Sequence, residues 1–220
     1  MKFKLLIFDW DGTISDSLGQ IVDCMHSAIA ELDLPPRSIL EIREIIGLGM
    51  LEAVNVLYPT NSNNIHRELI ESYHQHYRSN ANRICALYPN TEETIRHLYD
   101  EGYYLAVATG KSRRGLDRAL EESGMTSFFH ITCCSDETFS KPHPQMLQDI
   151  MLILDIRPEQ TLMIGDSEHD MQMAINANVA CAAVNYGAHD AKRLLEFKPL
   201  RVFENLQELP EWLANSISLQ

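Results

Sequence analysis

The stretch Leu5-Leu6-Ile7-Phe8 followed by Asp9-Trp10-Asp11-Gly12-Thr13 constrains this chain more than any other. Four apolar residues in a row read as a strand buried on both faces, and the carboxylates and glycine after them as a polar turn at its C-terminal edge. Open α/β sheets bind ligands at that edge. Aspartates at i and i+2 of an extended segment leave the same face. Their mutual repulsion is relieved when a cation lies between them or one of them carries a proton. A solvated turn is the plainer interpretation of the same residues, and the rest of the chain bears on the choice.

With 220 residues, 45% hydrophobic and 22% charged, the chain suits one large domain or one domain with a smaller insert, and it shows no low-complexity tract or repeat. A net charge of -13 leaves no basic stripe for nucleic acid or an anionic membrane surface. No segment reaches the length of a membrane span. Asp9 and Asp11 interrupt the N-terminal apolar run before a secretory signal core is complete, so a cytoplasmic protein is expected. The cysteines Cys24, Cys85, Cys133, Cys134 and Cys181 lack Cys-x-x-Cys spacing and are expected as thiols in a reducing compartment. Adjacent Cys133 and Cys134 are expected on opposite faces of a strand rather than joined.

Helical spacing dominates the first third of the chain. It predicts helices over 14–33, stopped by Pro35-Pro36, over 38–46, broken at Gly47-Leu48-Gly49, over 50–57 and over 63–80. His66, His74 and His76 fall on the last of these and are expected to be solvated or interfacial. From residue 84 strands alternate with helices. The strands are 104–108, 130–134, 161–164, 181–185 and 201–203, and the helices 91–101, 113–123, 145–154, 171–177 and 206–214. That alternation implies a Rossmann-like, doubly wound parallel sheet with right-handed crossovers. Residues 1–14 and 83–220 then form an α/β core, and 15–82 a helical cap inserted over its ligand-binding edge.

Parallel strands bring their C-terminal ends to one edge, so Asp9 and Asp11, Thr109, and Asp166 with Asp170 converge although far apart in sequence. Lys141 joins them after the third strand. Asp9, Asp11 and Asp166 resemble a site for Mg²⁺, which takes a few carboxylate or carbonyl oxygens and leaves the rest to water and a substrate phosphate. Thr109 and Lys141 offer a hydroxyl and a positive charge to phosphate oxygens, and backbone amides of the Gly12 and Gly110 turns could receive the same anion. This inventory suits phosphoryl transfer on a small phosphorylated metabolite.

Four ordered motifs carry a resemblance that spans nearly the whole chain: Phe8-Asp9-Trp10-Asp11-Gly12-Thr13, Ala108-Thr109-Gly110-Lys111, Lys141-Pro142, and Ile164-Gly165-Asp166-Ser167 with Asp170. In these the chain resembles the haloacid dehalogenase superfamily of phosphohydrolases, among them members with a helical cap after the first motif and a phosphoglycolate phosphatase-like character. The resemblance implies that Asp9 is the nucleophile forming an aspartyl-phosphate. It implies that Asp11 protonates the leaving oxygen and then activates water. It implies that Mg²⁺ is held by Asp9, the Asp11 backbone carbonyl and Asp166, with Asp170 orienting that set. A carboxylate is a weak nucleophile, and metal and lysine must neutralise the phosphate it attacks.

Other readings differ in what they require. A dehalogenase has no leaving-group oxygen to protonate and no need of Asp11. A phosphomutase needs cationic cap groups, and Met50 stands near where such mutases carry an arginine. A non-catalytic phosphate-binding or regulatory protein would have lost one of the motifs. The turn Gly47 to Met50, with Gly49 and Met50 foremost, is the candidate specificity loop, expected to favour a compact leaving group. Lys111, Arg113 and Arg114 are either anion ligands or a solvated helix start, and Glu168 and His169 either a surface turn or part of the site. The oligomeric state stays open, a monomer being compatible with the sequence.

Overall fold

The computed structural model describes residues 3–79 and 86–215. Six parallel strands form one sheet: β1 (Leu5–Phe8), β2 (Tyr104–Thr109), β3 (Ile131–Cys134), β4 (Thr161–Gly165), β5 (Ala180–Val184) and β6 (Val202–Phe203), in the order β3-β2-β1-β4-β5-β6. The order reverses direction at β1, the doubly wound arrangement in which ligands bind beyond the strand ends. Phe8 is in register with Val107 of β2 and with Ile164 of β4, so Asp9 emerges between the ends of both neighbours.

Because both faces of the sheet are covered, the strands are mostly apolar, with Thr109, Thr132 and Thr161 among them, and alternate residues serve different layers. Leu6, Phe8, Leu105 and Val107 pack with helices α5 (Thr91–Asp100), α6 (Arg113–Ser123) and α10 (Leu209–Asn215) through Ile95, Leu116 and Leu209. Leu5, Ile7, Ala106 and Ala108 pack with α7 (Gln145–Leu154), α8 (Glu168–Asn176) and α9 (Ala191–Leu195) through Ile150, Met171 and Leu194. Cys133 joins the second cluster and Cys134 the first, so these thiols do face opposite sides of β3. Cys85 lies outside the described residues, as does the expected cap boundary at 82 and 83.

Helices α1 (Leu18–Glu31), α2 (Ile39–Glu44), α3 (Met50–Leu57) and α4 (Asn63–Ser79) bury an apolar cluster of their own around Met25, Ile42, Val54 and Leu69. The two connectors run side by side: Asp16 N donates to Ala86 O and Tyr88 N to Ile14 O. This explains why α1 begins at Leu18 and not at 14. Residues 10–15 are folded into a turn by bonds from Ile14 N and Ser15 N to Trp10 O. Of the solvated and interfacial readings of His66 the structure excludes the first: it is 3% exposed, with Nε2 2.8 Å from Tyr58 O. A lone imidazole among apolar neighbours is tolerated there because a buried carbonyl partners it.

Candidate active site

The ends of β1 and β4 deliver the carboxylates. Asp9 follows Phe8 directly, and its amide donates to Ile164 O at 2.9 Å, which fixes the turn against β4. Asp166 follows Gly165, and Asp170 lies on the first turn of α8. That helix starts at Glu168, three residues earlier than the sequence spacing placed it. Asp170 itself makes the difference, since its Oδ2 accepts from Ser167 N at 3.0 Å and from Ser167 Oγ at 2.6 Å, closing the first turn. A capping carboxylate is thereby also a site carboxylate.

Asp9, Asp166 and Asp170 are all buried, and each offers an oxygen within 4.8 Å of the others. One ammonium faces them: Lys141 Nζ lies 2.7 Å from Asp9 Oδ1 and 2.7 Å from Asp170 Oδ1. Three buried carboxylates against one buried ammonium leave negative charge unmatched, and the ionisation shows where it falls. Burial pushes Asp9 well above its ordinary range despite Lys141, and burial followed by the charge of Asp170 pushes Asp166 up to about 7. Burial acts on Asp170 too, but the Lys141 charge and the bonds from Lys141 and Ser167 overcome it and hold that group low. Asp9 Oδ2 is buried without a hydrogen-bond partner, and Oδ1 meets Lys141 as a charge contact rather than a well-aligned hydrogen bond. An orphaned carboxylate oxygen among all-oxygen donors fits a hard divalent cation.

Three glycines make room for these groups. A Cβ on Gly12, whose φ is +83°, would stand 2.1 Å from Asp166 Oδ2; one on Gly187 would stand 2.1 Å from Asp166 Cβ, and one on Gly165 2.3 Å from Asp170 Cγ. Gly12, expected to offer its amide to phosphate, donates that amide to Ser15 O at 2.9 Å instead, so its contribution is space and turn geometry. Asp166 is oriented by Thr13 Oγ1 at 2.9 Å on Oδ1 and Ala188 N at 2.6 Å on Oδ2. Gly187 and Ala188 escaped the sequence reading, because nothing in the composition of that loop marks a group that reaches back to Asp166.

The Asp11 carboxylate turns away from the other three. Its Oδ1 accepts from Ser17 Oγ at 2.5 Å and lies 3.0 Å from Lys111 Nζ. Lys111 also reaches the Tyr77 hydroxyl of α4 at 3.3 Å. Burial alone would lower the Lys111 pKa, but Asp11, Tyr77 and Tyr73 raise it well above the ordinary value, so the ammonium is charged. Of the ambiguous basic residues, Lys111 is thus at the site. Arg113 instead pairs with Asp117 and Glu137 and bonds Thr132, and Arg114 is exposed. Thr109, 1% exposed, accepts from Lys111 N at 3.2 Å through Oγ1 and keeps its own proton to donate.

Helix α2 and the turn after it rest on the sheet edge. Gly49 N donates to Ser140 Oγ at 2.6 Å, and a Cβ on Gly110 would meet Leu48 O at 2.4 Å. Arg43 donates to Gly187 O and Ala188 O, and His169 Nε2 lies 2.9 Å from Glu44 O. Arg193 binds both Glu44 and Glu168. Glu168 and His169 accordingly belong to the seam between the helices and the sheet. Along that seam lies a half-open cavity of about 480 Å³ with Asp9, Asp11, Thr109, Gly110 and Lys111 on one side and Gly49 and Met50 on the other. Among the described residues no helix is long and apolar enough to cross a membrane.

Comparison with known proteins agrees with this geometry. A family model described as haloacid dehalogenase-like hydrolase matches residues 6–184. A phosphoglycolate phosphatase of Vibrio vulnificus is 27% identical over 217 residues, covering 94% of this chain and 95% of the relative. A pyrophosphatase PpaX of Oceanobacillus iheyensis is 28% identical over 219 residues, covering 99% of this chain and all of the relative. The crystal structure of a haloacid dehalogenase-like hydrolase from Bacteroides fragilis superposes with a TM-score of 0.87 at 26% identity, covering 94% of this chain and 100% of that one.

Proposed function

Because the chain belongs to the haloacid dehalogenase-like hydrolase family, we propose that it is a Mg²⁺-dependent phosphatase that cleaves small phosphate monoesters by way of a phosphoryl group carried on Asp9. The names of its relatives, phosphoglycolate phosphatase and pyrophosphatase, support a phosphatase activity. The observation that carries the reading is the orphaned Oδ2 of buried Asp9, in the wall of the cavity, beside Lys141 and two further carboxylates. In this reading residues 15–82 are the cap and the remainder the catalytic core, and the enzyme works in the cytoplasm.

Asp9, Asp166 and the Asp11 backbone carbonyl would hold Mg²⁺, with Asp170 steadying Lys141 and the turn after β4. Bound Mg²⁺ supplies positive charge to the phosphoryl oxygens and to the nucleophilic carboxylate. An Asp9 oxygen attacks phosphorus, and the bond from phosphorus to the ester oxygen breaks as Asp11 gives its proton to that oxygen. Water then attacks the same phosphorus, Asp11 takes the water's proton, and the Asp9 acyl-phosphate bond breaks to release inorganic phosphate. Thr109 donates its hydroxyl proton, and Lys141 its charge, to the oxygens that do not leave.

A mutase would need cationic cap groups for a second phosphate, and the described cap residues that line the cavity include no lysine or arginine. The test is phosphate release from an aryl phosphate: it should require Mg²⁺, stop on chelation and disappear in Asp9→Asn. Turnover that persists in chelator would overturn the reading.

A further inference from the structure

We propose that this cavity takes phosphomonoesters whose leaving group has an extended apolar body, an alkyl or aryl group of several carbons, in preference to a two-carbon acid or a second phosphate. The proposal rests on the phosphatase reading above and goes beyond it in naming the substrate class.

Size is the first observation. A volume of about 480 Å³ lies within the range of pockets that enclose drug-sized ligands, and a leaving group of two carbons would leave most of it to water. The proposal departs from the expectation of a compact leaving group, which considered only the Gly47 to Met50 turn and not the helices above it.

Chemistry of the walls is the second. Beyond Asp11 and Lys111 the cavity is lined by Met25 of α1, Ile46, Met50 of α3, and Ile70 and Tyr73 of α4. Apolar surface of this kind recognises an apolar group through burial and gives nothing in return to an anion. Tyr73 and His74, which also lines the cavity, add no charge near neutral pH, since burial pushes the Tyr73 hydroxyl well up and the His74 imidazole down.

Charge is the third. A carboxylate or phosphate on the leaving side needs cations, and the described residues lining the cavity offer only Lys111, already matched by Asp11 at 3.0 Å. Glu52 and Asp136, both exposed, add negative charge to the same wall. An anionic leaving group would meet carboxylates on several sides.

The experiment measures kcat/KM for ethyl, butyl and hexyl phosphate, phenyl phosphate, 2-phosphoglycolate and pyrophosphate, with Mg²⁺ present. The alkyl series should rise about two- to fourfold for each added methylene, and phenyl phosphate should exceed 2-phosphoglycolate by at least about tenfold. Ile70→Trp, which fills the chamber, should reduce the ratio of hexyl to ethyl phosphate by about tenfold. Ethyl, butyl and hexyl phosphonate, measured as calorimetric ligands of the Mg²⁺-loaded protein, should tighten along the same series. A flat or falling series, or a preference for 2-phosphoglycolate or pyrophosphate, would overturn the proposal. Absence of turnover with every ester would overturn the phosphatase reading instead, and the phosphonate series would still decide between an apolar and a polar chamber.

Discussion

Lys111 Nζ stands 3.0 Å from Asp11 Oδ1 and 3.3 Å from the Tyr77 hydroxyl, so one ammonium joins the turn after β1 to helix α4. With the Lys111 side chain 11% exposed and that of Asp11 10%, solvent screens the pair little, and breaking a buried pair strands the remaining charge. Lys111→Met should therefore destabilise the protein by up to about 3 kcal/mol. It should also lower kcat/KM at least about tenfold, because Asp11 keeps only Ser17 to orient it. The Mg²⁺ concentration for half-maximal rate should stay the same. Thermal melts and a metal titration check both, and a shifted metal requirement would place Lys111 with the wrong carboxylate.

The two carboxylates of the first motif should fail differently. Asp9→Asn removes the attacking oxygen, so no phosphoryl-enzyme should form and turnover should vanish. Asp11→Asn keeps the backbone carbonyl while losing the proton carrier, so Mg²⁺ should still bind while kcat falls about a hundredfold or more. Acid-quenched samples with labelled substrate read the first outcome and calorimetry the second. Wild-type-like turnover in Asp9→Asn would sink the nucleophile assignment.

The sheet and its edge were legible because their signals are local: an uninterrupted apolar run, a turn, a helix, repeated. Asp9, Thr109 and Asp166 each fall at or just beyond a strand end, which the period of the pattern locates, and Lys141 lies in the loop between β3 and α7. What stayed hidden depends on side chains reaching across the fold. Ser17 bonding Asp11 and Ala188 N bonding Asp166 are pairings that no spacing rule encodes. The start of α8 was misplaced because the Ser167 and Asp170 cap resembles a polar loop when only apolar periodicity is followed. The ambiguity of Lys111 came from its position: the residue before a helix cap is ordinarily solvated, and here α4 covers it.

Ionisation of the carboxylate cluster should make stability depend on pH in a direction set by Asp166. Burial, then the charge of Asp170, raises its pKa to about 7, so the folded, metal-free protein retains a proton that the unfolded chain loses near an ordinary value of about 4. That contribution is complete below about pH 4 and is lost as the pH rises through about 7; the raised Asp9 acts in the same direction. In chelator, Tm should fall by roughly 5 °C or more between pH 5 and pH 8. Mg²⁺ should restore stability at pH 8 more than at pH 5, since at the lower pH it must displace protons. Asp166→Asn should reduce both effects and leave the part due to Asp9, and equal Mg²⁺ stabilisation at the two pH values would refute the account.

The seam between the first four helices and the sheet makes the last prediction, at Gly49. Its amide donates to Ser140 Oγ at 2.6 Å, and an added Cβ would stand 2.6 Å from Glu52 Oε2, 3.0 Å from Ser135 Cβ and 3.1 Å from Ser140 Oγ. Glu52 is exposed and can swing away, but Ser135 and Ser140 sit on the loop after β3 and yield less readily. Gly49→Val should therefore hold the turn off the core, raise KM for every ester and compress the differences among them. Met50→Arg leaves the seam intact and adds a cation to an apolar wall. It should shift the ranking of kcat/KM toward esters with anionic leaving groups by at least about tenfold, roughly 1.4 kcal/mol, with Mg²⁺ dependence unchanged in both variants. If both variants kept the parent ranking, the turn from Gly47 to Met50 would be only the hinge between two helices, and discrimination would lie wholly with α1 and α4.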